Sequence, residues 1–233
     1  MEKPQKETST KNKRPSTHPS MLEEDEALSM TSLENQLLIA MPSLGDPYFN
    51  KSVTYICEHN EEGAMGLIIN LPVNITLADL LKQIEPDDDN TADKGNENST
   101  DNIKKEVTDT TNSLEQLVLA GGPIAKERGF VLHRSQKGWT SSLELSEELM
   151  VTTSKDILMA LGTDKAPDQF MVTLGYAGWG PGQLEQELQE NSWLTTPADS
   201  DILFNTPIEQ RWKKATEKLG IDLAHLSNEI GHA

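Results

Sequence analysis

From Glu85 to Ser113 the chain runs through twenty-nine residues in which Ile103 and Val107 are the only sizeable apolar side chains, while nine residues are acidic and three basic. Such a stretch cannot bury enough apolar surface to offset the entropy lost on ordering. It reads as a flexible insertion at 85–113, and long surface insertions cost little because closure entropy grows slowly with length. Whatever folds must therefore join residues 34–84 to residues 114–233 in one body. The run Asp87, Asp88, Asp89 lacks the alternating ligands, the glycine and the terminal glutamate of a calcium loop, so it reads as solvated charge. Residues 1–33 are similarly polar, with prolines at 4, 15 and 19. They read as a disordered N-terminal tail, and the basic cluster Lys11, Lys13, Arg14 as part of its solvated surface. The remaining 171 residues suit one domain with one core.

Composition bounds the function. The chain has 38 acidic and 20 basic residues, a formal net charge of −18, and 35% hydrophobic residues, which is below the usual share. Residues 34–84 and 114–233 carry 12 basic and 23 acidic side chains, so the acidity belongs to the folded part too. No apolar run approaches the length of a membrane-spanning helix. A single cysteine, Cys57, excludes an internal disulfide framework and a Cys-rich zinc site. The N-terminus has no apolar segment of a secretory signal, and Glu2 and Glu7 argue against a mitochondrial transit peptide. These features predict a soluble, acidic, cytoplasmic protein with no membrane partner.

The local pattern predicts strands at 53–58 and 64–69, joined as a hairpin across Asn60-Glu61-Glu62-Gly63. Thr76 and Asp79 form a capping-box pattern before a short helix with Leu77, Leu80, Leu81 and Ile84 on one face. Further strands are expected at 116–120, 129–133, 142–145, 149–152 and 169–175, the last running into a loop over 176–182. Ser154 is an expected N-cap for a helix over 155–161. Another helix is expected over 183–191 and a short strand over 201–204. A final helix is capped by Thr206, with Pro207 in its first turn and Ile208, Trp212, Ala215 and Leu219 on its buried face. Early hairpins followed by irregular alternation predict an α+β fold with a mixed sheet, not a doubly wound parallel one.

Several long segments together resemble one bacterial family. They are LLIAMPSLGDPYFNKSVTYICEHNEEGAMGLIIN at 37–70, GGPIAKERGFVLH at 121–133, TTSKDILMALG at 152–162, LGYAGWGPGQLEQELQENSWL at 174–194 and the terminal GHA. The chain is similar in these segments to the AlgH family, also called YqgE. The resemblance covers nearly all of the 171 residues and has no counterpart for 1–33 or most of 85–113. It implies a single domain at 34–233, with a bifurcated mixed β-sheet that includes a small barrel-like portion surrounded by helices. It implies a bacterial cytoplasmic protein, a role in transcriptional regulation attached to the family's namesake by association, and no assigned reaction. Leu71 stands where the family pattern usually has a basic residue.

The residues offer several candidate sites, each beside a structural alternative. Cys57 and His59 share a face if the strand runs regularly, a thiolate-and-base arrangement, but a buried core cysteine is the commoner case. Glu58, His59 and Asn60 are candidates to line a strand-end pocket, or belong to turn chemistry. Gly121 and Gly122, with Arg128 nearby, suggest a weak anion site, although Pro123 removes a backbone donor and a tight turn explains the glycines better. Tyr176, Gly178, Trp179 and Gly180 suggest a ligand loop with a stacking wall, or core aromatics at a sharp turn. No histidine has metal-ligand spacing with another ligand, and no nucleophile elbow is present. No metal and no cofactor are expected. Arg211, Lys214 and Lys218 would share a helix face, but Glu209 and Glu217 dilute it, and direct nucleic-acid binding is disfavoured by the net charge. The expected role is non-enzymatic: regulation through an unidentified protein partner, with indirect transcriptional regulation within it. The alternative is a small-molecule binder or unassigned enzyme using the strand-end loops. Oligomeric state is not legible.

Overall fold

The computed structural model describes residues 32–84 and 113–220. All but Ser32 and Leu33 of the tail expected over 1–33, all but Ser113 of the insertion expected over 85–113, and the terminal GHA lie outside the described residues. Ten strands form the sheet: β1 Gln36–Ala40, β2 Val53–Asn60, β3 Gly63–Ile68, β4 Pro72–Thr76, β5 Leu117–Ala120, β6 Ile124–Arg134, β7 Ser142–Glu144, β8 Leu149–Thr152, β9 Phe170–Trp179 and β10 Trp193–Pro197. Among the described residues four α-helices accompany them: α1 Leu77–Ile84, α2 Lys155–Ala160, α3 Gln183–Gln189 and α4 Arg211–Lys218. The strand order is β10-β1-β2-β3-β9-β6-β8-β7, with β5 pairing β4 and β9. Every pairing is antiparallel except that of β5 with β9.

The sheet is mixed and curled, and it forks along β9. The first part of β9 pairs β6 and β5, and its last part pairs β3. Alternation along each strand explains how the curl is filled. Leu37, Ile39, Val53, Tyr55, Phe130, Leu132 and Met171 point into one inner core, closed by Ile202, Leu203 and Ala215. The intervening residues point outward. Val131, Phe170 and Val172 pack under α1 and α2 through Leu77, Leu80, Ile157 and Leu158. Leu38, Ala40, Ile56, Ala177 and Trp179 pack under α3 through Leu184. This is an α+β half-barrel with helices outside: the α+β mixed sheet is what the residue pattern predicts, and the barrel-like portion is what the family resemblance implies.

Local chemistry accounts for the elements. Thr76 Oγ1 accepts the Asp79 N–H at 3.2 Å while the Thr76 N–H donates to Asp79 Oδ2 at 3.3 Å, so the capping box opens α1 as expected. Ser154 is extended at the N-cap of α2 but does not cap it; its hydroxyl is turned to Asp156 and the Thr140 carbonyl.

Three local expectations are corrected. Residues 176–179 are strand, not loop, because Gly175 takes a left-handed φ of +73° and lets β9 change partners without ending. Asp201–Asn205 is a π-helical turn instead of a strand, held by the Thr206 N–H donating to the Asp201 carbonyl at 2.7 Å. The final helix is split: Ile208–Gln210 is a 3-10 turn preceded by Pro207, α4 begins only at Arg211, and Thr206 is not its cap.

Candidate functional site

The segment Cys57-Glu58-His59-Asn60 ends β2, and a bulge governs it. Ile56 pairs with Gly66 and Glu58 with Met65, so Cys57 is the extra residue. The inserted residue reverses the alternation. Cys57 points into the inner core beside Tyr55, while His59 sits with Ala64 and Trp179 on the outer face. The expected common face of Cys57 and His59 is therefore corrected, and no thiolate–base pair exists. Burial and the neighbouring Glu58 carboxylate both push the Cys57 thiol up, away from the reactive thiolate.

His59 is buried, and both ring nitrogens are engaged. Its Nδ1 accepts the Leu33 N–H at 3.0 Å, which leaves Nε2 to donate to Glu185 Oε1 of α3 at 2.6 Å. Glu34 Oε1 accepts the His59 backbone N–H at 3.3 Å. The imidazole thus pins the start of β1 to the start of α3. Asn60 is exposed and its Oδ1 accepts the Glu62 N–H at 2.8 Å, which is turn chemistry. Glu58 is exposed on the inner side of the sheet, across from Met65.

Gly121 and Gly122 do not form an anion cradle. The Gly121 N–H donates to the Leu174 carbonyl at 2.8 Å and its own carbonyl accepts the Ile68 N–H at 2.8 Å. A Cβ on Gly122 would lie 1.9 Å from the Tyr176 carbonyl carbon, and one on Gly121 would lie 2.2 Å from the Gly175 oxygen. The chain leaving β5 crosses β9 backbone to backbone, and only glycine fits there. Arg128 lies elsewhere. It stacks 5.4 Å from the Phe130 ring centroid and sits in no ion pair among the described residues.

The residues of the expected ligand loop separate onto opposite faces of β9. Trp179 is buried on the outer face, where its indole N–H and that of Trp193 both donate to Glu187 Oε2, at 2.9 and 2.7 Å. Gly180 follows the strand and donates its N–H to Gln183 Oε1 at 3.0 Å. Tyr176 and Gly178 face inward. Tyr176 meets Phe130 edge to face at 5.8 Å between centroids and sits opposite Ile124 across the ladder. A Cβ on Gly178 would lie 3.0 Å from Ile124 Cδ1.

The sheet thus brings Glu58, Tyr176, Gly178 and Arg128 toward one inner-face strip, together with Met65, Ile124 and Phe130. It leaves His59, Trp179 and Gly180 on the other side. Ile124 is 40% exposed at the middle of that strip. Sequence reading passed over Ile124 because a single isoleucine after Gly-Gly-Pro carries no signal of its exposure. Arg211, expected on a basic helix face with Lys214 and Lys218, is instead buried at 6% exposure. That burial removes the stripe's first member. Leu71 is half-buried, and its carbonyl accepts the Ala120 N–H at 2.7 Å.

Among the described residues no group of three or more His, Cys, Asp or Glu side chains is placed to hold a metal ion. Among the same residues no helix is long and apolar enough to cross a membrane.

Comparison with known proteins agrees with this architecture. The family model described as AlgH-like matches residues 37–224. A UPF0301 protein of Colwellia psychrerythraea is 80% identical over 213 residues, covering 88% of this chain and all of that protein. A second UPF0301 protein, from Pseudoalteromonas translucida, is 52% identical over 204 residues, again covering 88% of this chain and all of its own length. The solution structure of the AlgH protein from Pseudomonas aeruginosa superposes with a TM-score of 0.65 at 43% identity, covering 88% of this chain and 98% of that one. A crystal structure of the protein DIP2367 from Corynebacterium diphtheriae shares the fold at 18% identity, with a TM-score of 0.59 over 85% of this chain and 93% of that one. With its family model spanning most of the chain and its relatives matched over their full length, the chain belongs to the AlgH-like family.

Proposed function

We propose that this protein is a non-enzymatic regulatory protein of the cytoplasm that acts by binding another protein through the inner-face strip. Any effect on transcription then passes through that partner. The exposure of Ile124 carries the reading. Its neighbour Gly178 has no side chain, so β9 leaves the isoleucine open to solvent beside half-buried Tyr176 and Met65. Aromatic, methionine and arginine side chains around an apolar centre are the composition of interface cores. Arg128 borders the strip as a cation without an ion pair among the described residues, and Glu58 borders it across β3. The surface suits a protein segment that seats an apolar side chain on Ile124 and offers a carboxylate to Arg128. Direct DNA binding gains no support, because the chain carries a net charge of −18 and the burial of Arg211 takes it out of the basic helix face.

The test is a differential pull-down from native lysate with the wild type, Ile124→Asp and Arg128→Glu. Both positions are exposed, so both variants keep the fold. The reading requires a protein that is retained by the wild type, is lost with both variants and re-forms a 1:1 complex when purified. Identical recoveries from all three baits would dispose of it.

A further inference from the structure

A concave feature lies away from the strip, at the other end of β9. Between β5, the start of β9 and the π-helical turn is an open cleft of about 530 Å³. Leu117, Leu119, Met171, Phe204 and Ile208 give it an apolar wall, and Arg211 lies in its lining. Leu117 is 41% exposed there, which is unusual for a leucine on a strand of an otherwise covered sheet.

Arg211 is the informative residue. It donates from Nη1 to the Ile69 carbonyl and from Nε to the Thr206 carbonyl, the latter at 3.1 Å. Both acceptors are neutral. Among the described residues no carboxylate lies within ion-pair distance of it. Buried arginines are ordinarily matched by an anion, because removing the charge from water is costly. Burial lowers its pKa to about 10, with Glu209 opposing the shift, so the guanidinium stays charged at neutral pH. Two of its five N–H donors serve the carbonyls, and three remain for a planar acceptor.

The rest of the lining limits the ligand. Asp168 and Glu209 are exposed at the cleft. Their charges oppose a multiply charged anion, which disfavours phosphates and nucleotides relative to a single carboxylate. The Gln169 and Asn205 side chains are bonded to each other at 2.9 Å, so they shape the wall without offering themselves to a ligand.

We propose that this cleft binds a small monocarboxylate with an apolar body, its carboxylate on Arg211 and its body against Leu117, Met171 and Phe204. The inference stands independently of the interaction strip, which shares none of these residues.

The experiment is an amide chemical-shift titration of the full isotopically labelled chain, with hexanoate as the probe and 1-hexanol and inorganic phosphate as controls. Hexanoate should shift the amides of Leu117, Phe204 and Arg211 saturably, with a dissociation constant on the order of 1 mM for so small a ligand. Each control should bind at least about tenfold more weakly. Leu117→Glu keeps the fold, because the residue is exposed, and should weaken hexanoate about tenfold. Arg211→Gln, where its spectrum remains folded, should erase the preference for hexanoate over hexanol. Equal binding of hexanol would mean an apolar cleft without anion recognition, and equal binding of phosphate would mean a generic anion site. Either result overturns the proposal, as does the absence of saturable shifts up to about 20 mM hexanoate.

Discussion

Cys57 shows how much one residue's surroundings decide. It is fully inside the inner core, and burial keeps its thiol protonated. The native protein should therefore leave a thiol reagent such as Ellman's unreacted at neutral pH and consume one equivalent after unfolding in urea. Fast native labelling would contradict the burial. His133 is a second titratable residue held inside, with no exposed surface. Its Nδ1 donates to the Arg134 carbonyl at 2.7 Å, and its Nε2 shares a hydrogen bond of 2.9 Å with Thr152 Oγ1, which the neutral ring is able to accept. Burial lowers its pKa below 6.5, and the hydrogen bond to Arg134 partly opposes this. The sign follows from linkage. The unfolded chain takes up a proton below about pH 6.5 that the folded chain refuses, so the contribution is whole above that pH and is lost as pH falls towards the folded value. The urea midpoint should drop between pH 7.5 and 5.5, with a slope from this residue of at most about 1.4 kcal/mol per pH unit. His133→Gln, which keeps a side-chain amide near Thr152, should flatten that part of the profile. The reach of sequence is also clearest here. That Cys57 is a core residue was legible from residue type. That it and His59 face apart was not, because the bulge is set by pairing with Gly66 and Met65, a non-local matter.

Among the elements, β9 carries the most information. Its apolar start was evident in QFMVTLG, and its continuation through Tyr176–Trp179 was hidden, because Gly and aromatic residues there look like a loop. The glycines instead mark where two backbones touch and where a strand bends. This separates two substitutions that look alike in sequence. Gly122→Ala would put a Cβ 1.9 Å from the Tyr176 backbone, which cannot yield without breaking the crossing of β5 over β9. It should cost upwards of about 3 kcal/mol or prevent folding. Gly178→Ala meets the end of the Ile124 side chain at 3.0 Å, a group able to rotate away, and Tyr176 Cε2 at an ordinary 3.5 Å. It should change stability by less than about 1 kcal/mol, as measured by urea denaturation. Equal effects of the two would refute the crossing. The π-helical turn was illegible for a different reason: four or five residues are too few for periodicity to separate a turn from a strand. It is set by contacts with neighbours, including the Gln169 side chain donating to Asn205 Oδ1 at 2.9 Å.

At the scale of the molecule, the sequence's division into two apolar segments raises the question of what joins them. The described residues on either side of 85–112 are tied without it. β4 and β5 are paired, the Leu77 N–H donates to the Gln116 carbonyl at 2.8 Å, and Lys155 Nζ reaches the Ile84 carbonyl at 3.1 Å. The chain ends at Ile84 and Ser113 are thus anchored to one sheet, and a short linker has only to close between them. Replacing residues 87–110 with about six glycine and serine residues shortens the loop from 28 residues to about ten, roughly one and a half halvings, and each halving is worth roughly 0.6 kcal/mol by closure entropy. The shortened protein should therefore be about 1 kcal/mol more stable in urea, with the same slope. A loss of more than about 2 kcal/mol would mean that the segment contributes packing of its own, beyond anything closure entropy supplies. The comparison also bears on function. If the shortened protein keeps both hexanoate binding and the partner lost on Ile124→Asp, then both surfaces belong to the half-barrel alone, and the acidic segment can be varied without touching either.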